Sequence, residues 1–226
     1  MKKDLFLENR LSAKELSWGW RYLLFQAVFL PGLLGLLSLS ATELNLTFYC
    51  INFCCVLWIL RRFLLRSIAL GMRRFAHTLV ISTAFFLLYR VSEFGLTAVF
   101  EILGFAFTNE NDRLVMQMAA ENYPLMFIGT VIIVPVTEEA LHRGVVLRGL
   151  YERSPKTAWL VSAVLFSLVH IMGYIGTGTP MTLILSFLQY VPAGLCLAGA
   201  YRLSGSLLCP VLIHAAVNAT AMLSLR

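Results

Sequence analysis

Charge is what this sequence has least of. Asp, Glu, Lys and Arg make up 13% of its 226 residues, about half the roughly 25% of a soluble domain. Hydrophobic residues reach 59%, and the mean hydropathy is +0.78. Together these exclude an intrinsically disordered chain, a nucleic-acid-binding module and a disulfide-stapled secreted domain. Cysteine directs nothing: Cys50, Cys54 and Cys55 share one apolar run, Cys196 and Cys209 fall in or beside others, and no Cys-x-x-Cys spacing occurs. Free Cys in such surroundings behaves as a small hydrophobe. His-Glu-x-x-His, internal repeats and low-complexity stretches are also absent. At this length one structural domain is the default.

What is present is a series of apolar runs. A bilayer core about 30 Å thick needs roughly 20 apolar residues in a helix. Seven stretches qualify: Trp20–Leu39, Leu44–Leu60, His77–Phe105, Pro124–Leu147, Ala158–Tyr174, Met181–Tyr201 and Leu207–Leu225. The expected fold is therefore all-α, a polytopic transmembrane helix bundle. Its N-terminal region, 1–123, holds three spans and its remainder, 124–226, holds four. Lys and Arg between spans set orientation, because cytoplasmic loops carry the excess. The clusters are Lys2, Lys3, Arg10, Lys14 and Arg21; Arg61, Arg62, Arg66, Arg73 and Arg74; Arg148, Arg153 and Lys156; and Arg202. With seven spans and a cytoplasmic N-terminus all fourteen fall on one side, against Arg113 and Arg226 on the other. The net charge of +6 is thus a topology signal, and no nucleic-acid partner is expected. The Ser38-x-Ser40 pattern is a weak cleavage signal and further spans follow, so the first run reads as an uncleaved anchor. Residues 1–20 are expected to hold an interfacial helix with Leu7, Leu11 and Trp18 on one side. Thr108–Tyr123 reads as the one sizeable outer loop.

Ionisable side chains inside apolar spans cost about 2.5–3.5 kcal/mol each on insertion scales and are read as functional by default. Arg90 and Glu93, three apart, read most simply as a self-satisfied pair. His77 sits at a basic interface. The others concentrate in the last four spans. In Val134–Gly144 the adjacent carboxylates Glu138 and Glu139 diverge by about 100° on a helix. Glu139 and Arg143, four apart, share a face and can pair. Glu138 is left without a cation of its own, with the makings of a general base if shielded from water. His142 lies four residues on, near the basic end, and reads as wetted, with a catalytic role as the alternative. Pro135 removes a backbone hydrogen bond and is expected to kink the helix. The fifth span carries His170 with Phe166 one turn before it, and the seventh carries His214 and Asn218 on one face. Ala215, Ala216 and Ala219 beside them permit close helix approach. A carboxylate, two imidazoles and an amide at comparable depth suit water activation and oxyanion stabilisation.

Glu138-Glu139-Ala-Leu-His-Arg143-Gly144, Phe166-Ser-Leu-Val-His170 and His214-Ala-Ala-Val-Asn218, in this order, resemble the three motifs of the CPBP family of intramembrane proteases. That family takes in type II CAAX prenyl proteases and bacteriocin-processing or immunity proteins of the lysostaphin-resistance-A type. Gly205-Ser206-Leu207 also resembles the family pattern, and the likeness covers about residues 124–220. The resemblance implies a water-accessible cavity between helices and a glutamate-dependent peptidase. Glu138 would correspond to the catalytic glutamate and His170 to its partner in activating water. His214 and Asn218 would hold the oxyanion, and Glu139 and Arg143 would support the site. His142 is an additional ionisable residue inside the first motif.

The expectation is an integral-membrane endopeptidase without a cofactor, in the cell membrane of a bacterium, acting on a peptide or protein at the bilayer. Two alternatives stand beside it. Glu138, His170 and His214 would be a ligand set if the enzyme were a zinc metalloprotease. A non-catalytic immunity factor or small transporter would use the same polar cavity for binding, although the inverted repeats usual in transporters are not found.

Overall fold

A computed structural model describes residues 4–105, 109–176 and 178–225. Lys2, Lys3, Thr108 and Arg226, invoked above, lie outside them. Among the described residues there is no strand. The helices are α1 (Leu5–Glu8), α2 (Ala13–Val28), α3 (Leu30–Leu34), α4 (Ala41–Arg73), α5 (Phe75–Ile102), α6 (Glu110–Glu121), α7 (Tyr123–Tyr151), α8 (Pro155–Ile171), α9 (Pro180–Ser204) and α10 (Leu208–Leu223). Their starts follow from local chemistry. Ser12 with Glu15 and Ser40 with Glu43 form reciprocal capping boxes on α2 and α4, which satisfy backbone N–H groups that a helix start leaves unpaired. Pro155 and Pro180 open α8 and α9, where a missing N–H costs nothing.

Among the described residues five helices, α4, α5, α7, α8 extended to Tyr174, and α9, are long and apolar enough to cross a membrane; α10 is a shorter apolar helix. The first apolar run does not form one continuous helix. Helix α2 starts seven residues earlier than expected, and α3, with Pro31 in its first turn, follows a break at Phe29. Helix α4 runs thirteen residues past Leu60, so its basic cluster is helical. The stretch expected as an outer loop is largely α6, capped by the Asn109 side chain. Its polarity had masked an amphipathic helix.

Side chains such as Trp58, Leu65, Val80, Val91, Phe94, Leu160 and Leu203 are exposed, and only 6% of the apolar window of α5 is buried within the protein. In water so much apolar surface would be an association hazard; in a bilayer it is the lipid face. Inside, α8 and α9 pack most closely. A Cβ on Gly194 would lie 2.9 Å from the Ala163 Cα, so the small residue sets the helix separation.

The two ends of the bundle differ. At the basic end, residues 4–15 are tied to three helices, α4, α7 and α9. Arg148 donates to the carbonyls of Phe6 and Leu7 at 3.0 and 2.7 Å. Arg202 pairs with Asp4 at 2.7 Å. The Asn9 amide donates to Ser67 and to the Gly205 carbonyl at 2.9 and 3.2 Å, and the Phe63 N–H donates to Glu15 at 2.9 Å. Gly205 sits at φ 71°, and a Cβ there would press on Leu5 at 2.9 Å. That turn therefore takes glycine for two reasons, left-handed backbone and contact with α1. Ser206 and Leu207, next in the turn, hydrogen-bond to Ser67 of α4. Phe6, Leu60, Phe63, Val145–Leu147, Ala198, Tyr201 and Leu207 form one fully buried cluster beneath. The opposite end is held by lateral contacts, Thr42 to Glu121 and Asn109 to Gln189, around an open space.

Candidate active site in the bundle cavity

The catalytic candidates come from three helices. Helix α7 is irregular: wider i→i+5 turns occupy Gly129–Ile133 and Ala140–Arg148, on either side of Glu138 and Glu139. Such turns are common at functional sites, and here two unusual hydrogen bonds go with them. The residue five beyond Thr130 is Pro135, which has no N–H; the Thr130 carbonyl is taken instead by the Asn218 amide of α10 at 2.8 Å. The Glu138 carbonyl accepts from His142 Nδ1 at 2.9 Å.

The two glutamates part company as their spacing requires. Glu139 is fully buried. Its Oε2 lies 2.9 Å from Arg143 Nε, and its Oε1 accepts from His214 Nδ1 at 2.9 Å. Arg143, also fully buried, donates to Ser162 at 3.3 Å, and its guanidinium lies 4.6 Å from the Phe166 ring centroid. The charge of Glu139 is thus matched inside the protein, as a buried carboxylate demands. Glu138 turns the other way, with a quarter of its side chain accessible, and its Oε2 stands 3.8 Å from His170 Nε2. That separation exceeds a hydrogen bond.

Proton placement on the imidazoles follows from their partners. His170 Nδ1 lies 2.7 Å from the Phe166 carbonyl. A carbonyl only accepts, so Nδ1 carries hydrogen, and Nε2 is the atom turned to Glu138. His214 Nδ1 likewise donates to Glu139, leaving its Nε2 for the cavity. The Phe166 ring organises all three histidines, with centroids 5.4 Å from His142, 4.5 Å from His170 and 5.9 Å from His214.

Glu138, His142, His170, His214 and Asn218 all line one cavity of about 840 Å³. Glu139 and Arg143 lie behind its wall. His142 is 1% exposed overall, so it is buried against Phe166 rather than wetted at an interface as the sequence had suggested. Its Nε2 is buried with no hydrogen-bond partner among the described residues. Arg90 and Glu93 pair at 2.6 Å, as their spacing predicted. Among the described residues no three His, Cys, Asp or Glu side chains converge to ligate one metal ion.

Tyr190 of α9 was missed by sequence reasoning, since it sits unmarked in an apolar run. Its ring stacks on His170 with centroids 4.1 Å apart. Its hydroxyl accepts from Asn111 at 3.1 Å and lies 3.5 Å from Asp112 Oδ1. Burial lifts the Asp112 carboxyl above the ordinary carboxylate range, against the opposing pull of His170 and of the Tyr190 hydrogen bond. Helix α6 is therefore joined through Tyr190 to the ring of His170.

The family model of the Rce1-like type II CAAX prenyl endopeptidases matches residues 119–220, the stretch that holds α7 to most of α10 and all three motifs. This region is similar to that family. No curated protein and no solved structure matches the chain. The Rce1-like match agrees with the CPBP resemblance of the three motifs and supports a membrane peptidase. In this Rce1-like region the three motifs meet at one cavity, the first through Glu138, the second through His170 and the third through His214 and Asn218.

Proposed function

We propose that the protein is a glutamate-dependent intramembrane endopeptidase in which Glu138 and His170 activate the hydrolytic water. The observation that carries this is the 3.8 Å gap between Glu138 Oε2 and His170 Nε2 at the cavity wall: a water beside both can donate one hydrogen bond to each. Glu138 takes a proton as the water oxygen attacks the scissile carbonyl. It then delivers that proton to the departing amine as the C–N bond breaks, leaving a carboxyl and an amine product. His170, fixed by the Phe166 carbonyl and by Tyr190, orients the water.

The negative charge that develops on the carbonyl oxygen falls to His214 and Asn218. His214 already donates from Nδ1 to Glu139, so donation from Nε2 requires a doubly protonated ring, for which buried Glu139 is the counter-ion. Asn218 spends one amide hydrogen on Thr130 and has a second for the oxyanion. Asn218→Ala is expected to lower kcat by about 10²–10³-fold with little change in KM, the size seen when one oxyanion donor is removed elsewhere. Steady-state kinetics beside a melting curve check this. A rise in KM alone would assign Asn218 to substrate binding.

The reading is tested by peptide hydrolysis with purified protein in lipid vesicles. Hydrolysis abolished by Glu138→Ala supports an enzyme; peptide binding that survives with no hydrolysis in the unaltered protein would make it a binding module. A strong chelator is expected to leave turnover intact, with bound metal far below one ion per chain by elemental analysis. A stoichiometric zinc that restores lost activity would reassign His214 from oxyanion donor to ligand.

A further inference from the structure

A second, smaller hollow lies at the basic end and shares no lining residue with the cavity that holds Glu138. It encloses about 300 Å³ between the N-terminal segment, at Leu5 and Asn9, and the last two turns of α4, at Arg66, Leu70 and Arg73. At 100° per residue, positions 66, 69, 70 and 73 share one helix face, with the two arginines two turns apart. One terminal nitrogen of Arg66 donates to the Arg10 carbonyl at 2.8 Å and stands 3.9 Å from Glu15. Among the described residues Arg73 has no hydrogen-bond or ion-pair partner for its side chain. Glu8 also borders the hollow, so two arginines against one carboxylate give it a formal charge of +1. Its depth follows from the length of α4. The helix has 33 residues, about 50 Å at 1.5 Å each, against a hydrocarbon core of about 30 Å. Its apolar run ends at Leu60, so the turns that carry Arg61, Arg62, Arg66 and Arg73 reach the headgroup layer. Beside the hollow, Trp58 and Leu65 are 74% and 70% exposed. Seven apart, and with exposed Ala69 four beyond Leu65, they make one apolar track from the hollow toward the membrane interior.

We propose that this hollow binds the phosphate of an anionic glycerophospholipid between Arg66 and Arg73, with the acyl chains laid along Leu65 and Trp58, and that the bound lipid fastens the N-terminal segment to α4. Guanidinium forks match phosphate oxygens in geometry as well as charge, and basic clusters at the headgroup layer draw anionic lipid. The single net positive charge suits a phosphodiester, which carries one negative charge. A soluble phosphate ester offers the same oxygens, but only a lipid also covers the apolar track. The site stands apart from Glu138 and does not depend on the peptidase reading.

The test titrates the purified full chain, in a neutral detergent, with phosphatidylglycerol. Native mass spectrometry counts the lipids retained, and thermal melting follows stability. One lipid retained per chain and a melting temperature that rises to a plateau are expected. Arg73→Gln should raise the half-saturating lipid concentration about tenfold, the scale of one charge-assisted contact. It should change the lipid-free melting temperature little, since the side chain has no partner to lose. Ala69→Phe keeps every charge but fills the hollow, and should weaken binding to a similar degree. Arg61→Gln removes the same charge from the same layer, about 140° around the helix from Arg66, and should respond to lipid as the unaltered protein does. Equal weakening by Arg61→Gln would overturn the proposal in favour of diffuse attraction. The same plateau with phosphatidylcholine would remove the preference for an anion and overturn it too. The same plateau with inorganic phosphate or glycerol phosphate would replace the lipid by a soluble anion. If Ala69→Phe fails to fold, the contrast between Arg73→Gln and Arg61→Gln still decides.

Discussion

Glu138→Gln is expected to reduce peptide hydrolysis by about 10²-fold or more, the usual scale of a positioned general base, while the protein folds and melts as before. The substitution keeps the shape of the side chain and its ability to hydrogen-bond water, and removes the ability to take up a proton. Its structural cost is small for two reasons. Glu138 is not the carboxylate that neutralises Arg143, because Glu139 does that at 2.9 Å. The bond to His142 runs from the Glu138 backbone carbonyl, which the substitution leaves in place. Glu139→Gln is the informative companion. It should lose stability as well as rate, since it uncouples Arg143 and the His214 counter-ion together. Near-normal turnover in purified Glu138→Gln would remove the water-activating role from this residue.

That Glu139 rather than Glu138 meets Arg143 was legible in the sequence because it follows from angular spacing alone. A residue four before Arg143 faces it, and the adjacent residue cannot. The gathering of α7, α8 and α10 was legible too, as polar groups in apolar spans have few ways to be satisfied except by one another. Features that depend on contacts between distant segments were not. The N-terminal segment joins Asn9 to Ser67 and Gly205 across 58 and 196 residues, and nothing local in the sequence marks that pairing. His142 looked solvated from its place in the chain, yet burial is decided by the Phe166 ring and by the packing of α8 against α7. Helix α6 was hidden by its own polarity: its charged face resembles a loop until Asn109 is seen capping it. The wide turns of α7 left only an indirect trace, Pro135, whose missing N–H frees the carbonyl that Asn218 takes.

Arg143 carries the largest expected stability effect. Arg143→Met fills much of the same volume without charge, and should destabilise the protein by about 3–5 kcal/mol because a buried carboxylate is left uncompensated. Glu139 would keep only the bond to His214, and Ser162 and the Phe166 face would lose their contacts with the guanidinium. The double variant Glu139→Gln with Arg143→Met replaces the ion pair by a neutral amide that still accepts from His214 Nδ1. It should recover part of the lost stability, since removing both charges of a buried pair is often nearly neutral. Its activity should stay low, because His214 loses the counter-ion that lets both ring nitrogens donate. Thermal melting of the three proteins in the same lipid separates these effects. A double variant that melts no higher than Arg143→Met would show that the guanidinium acts through packing on Phe166 rather than through Glu139. Recovered stability without recovered turnover would place the Glu139 charge in catalysis, one residue removed from the group that touches water.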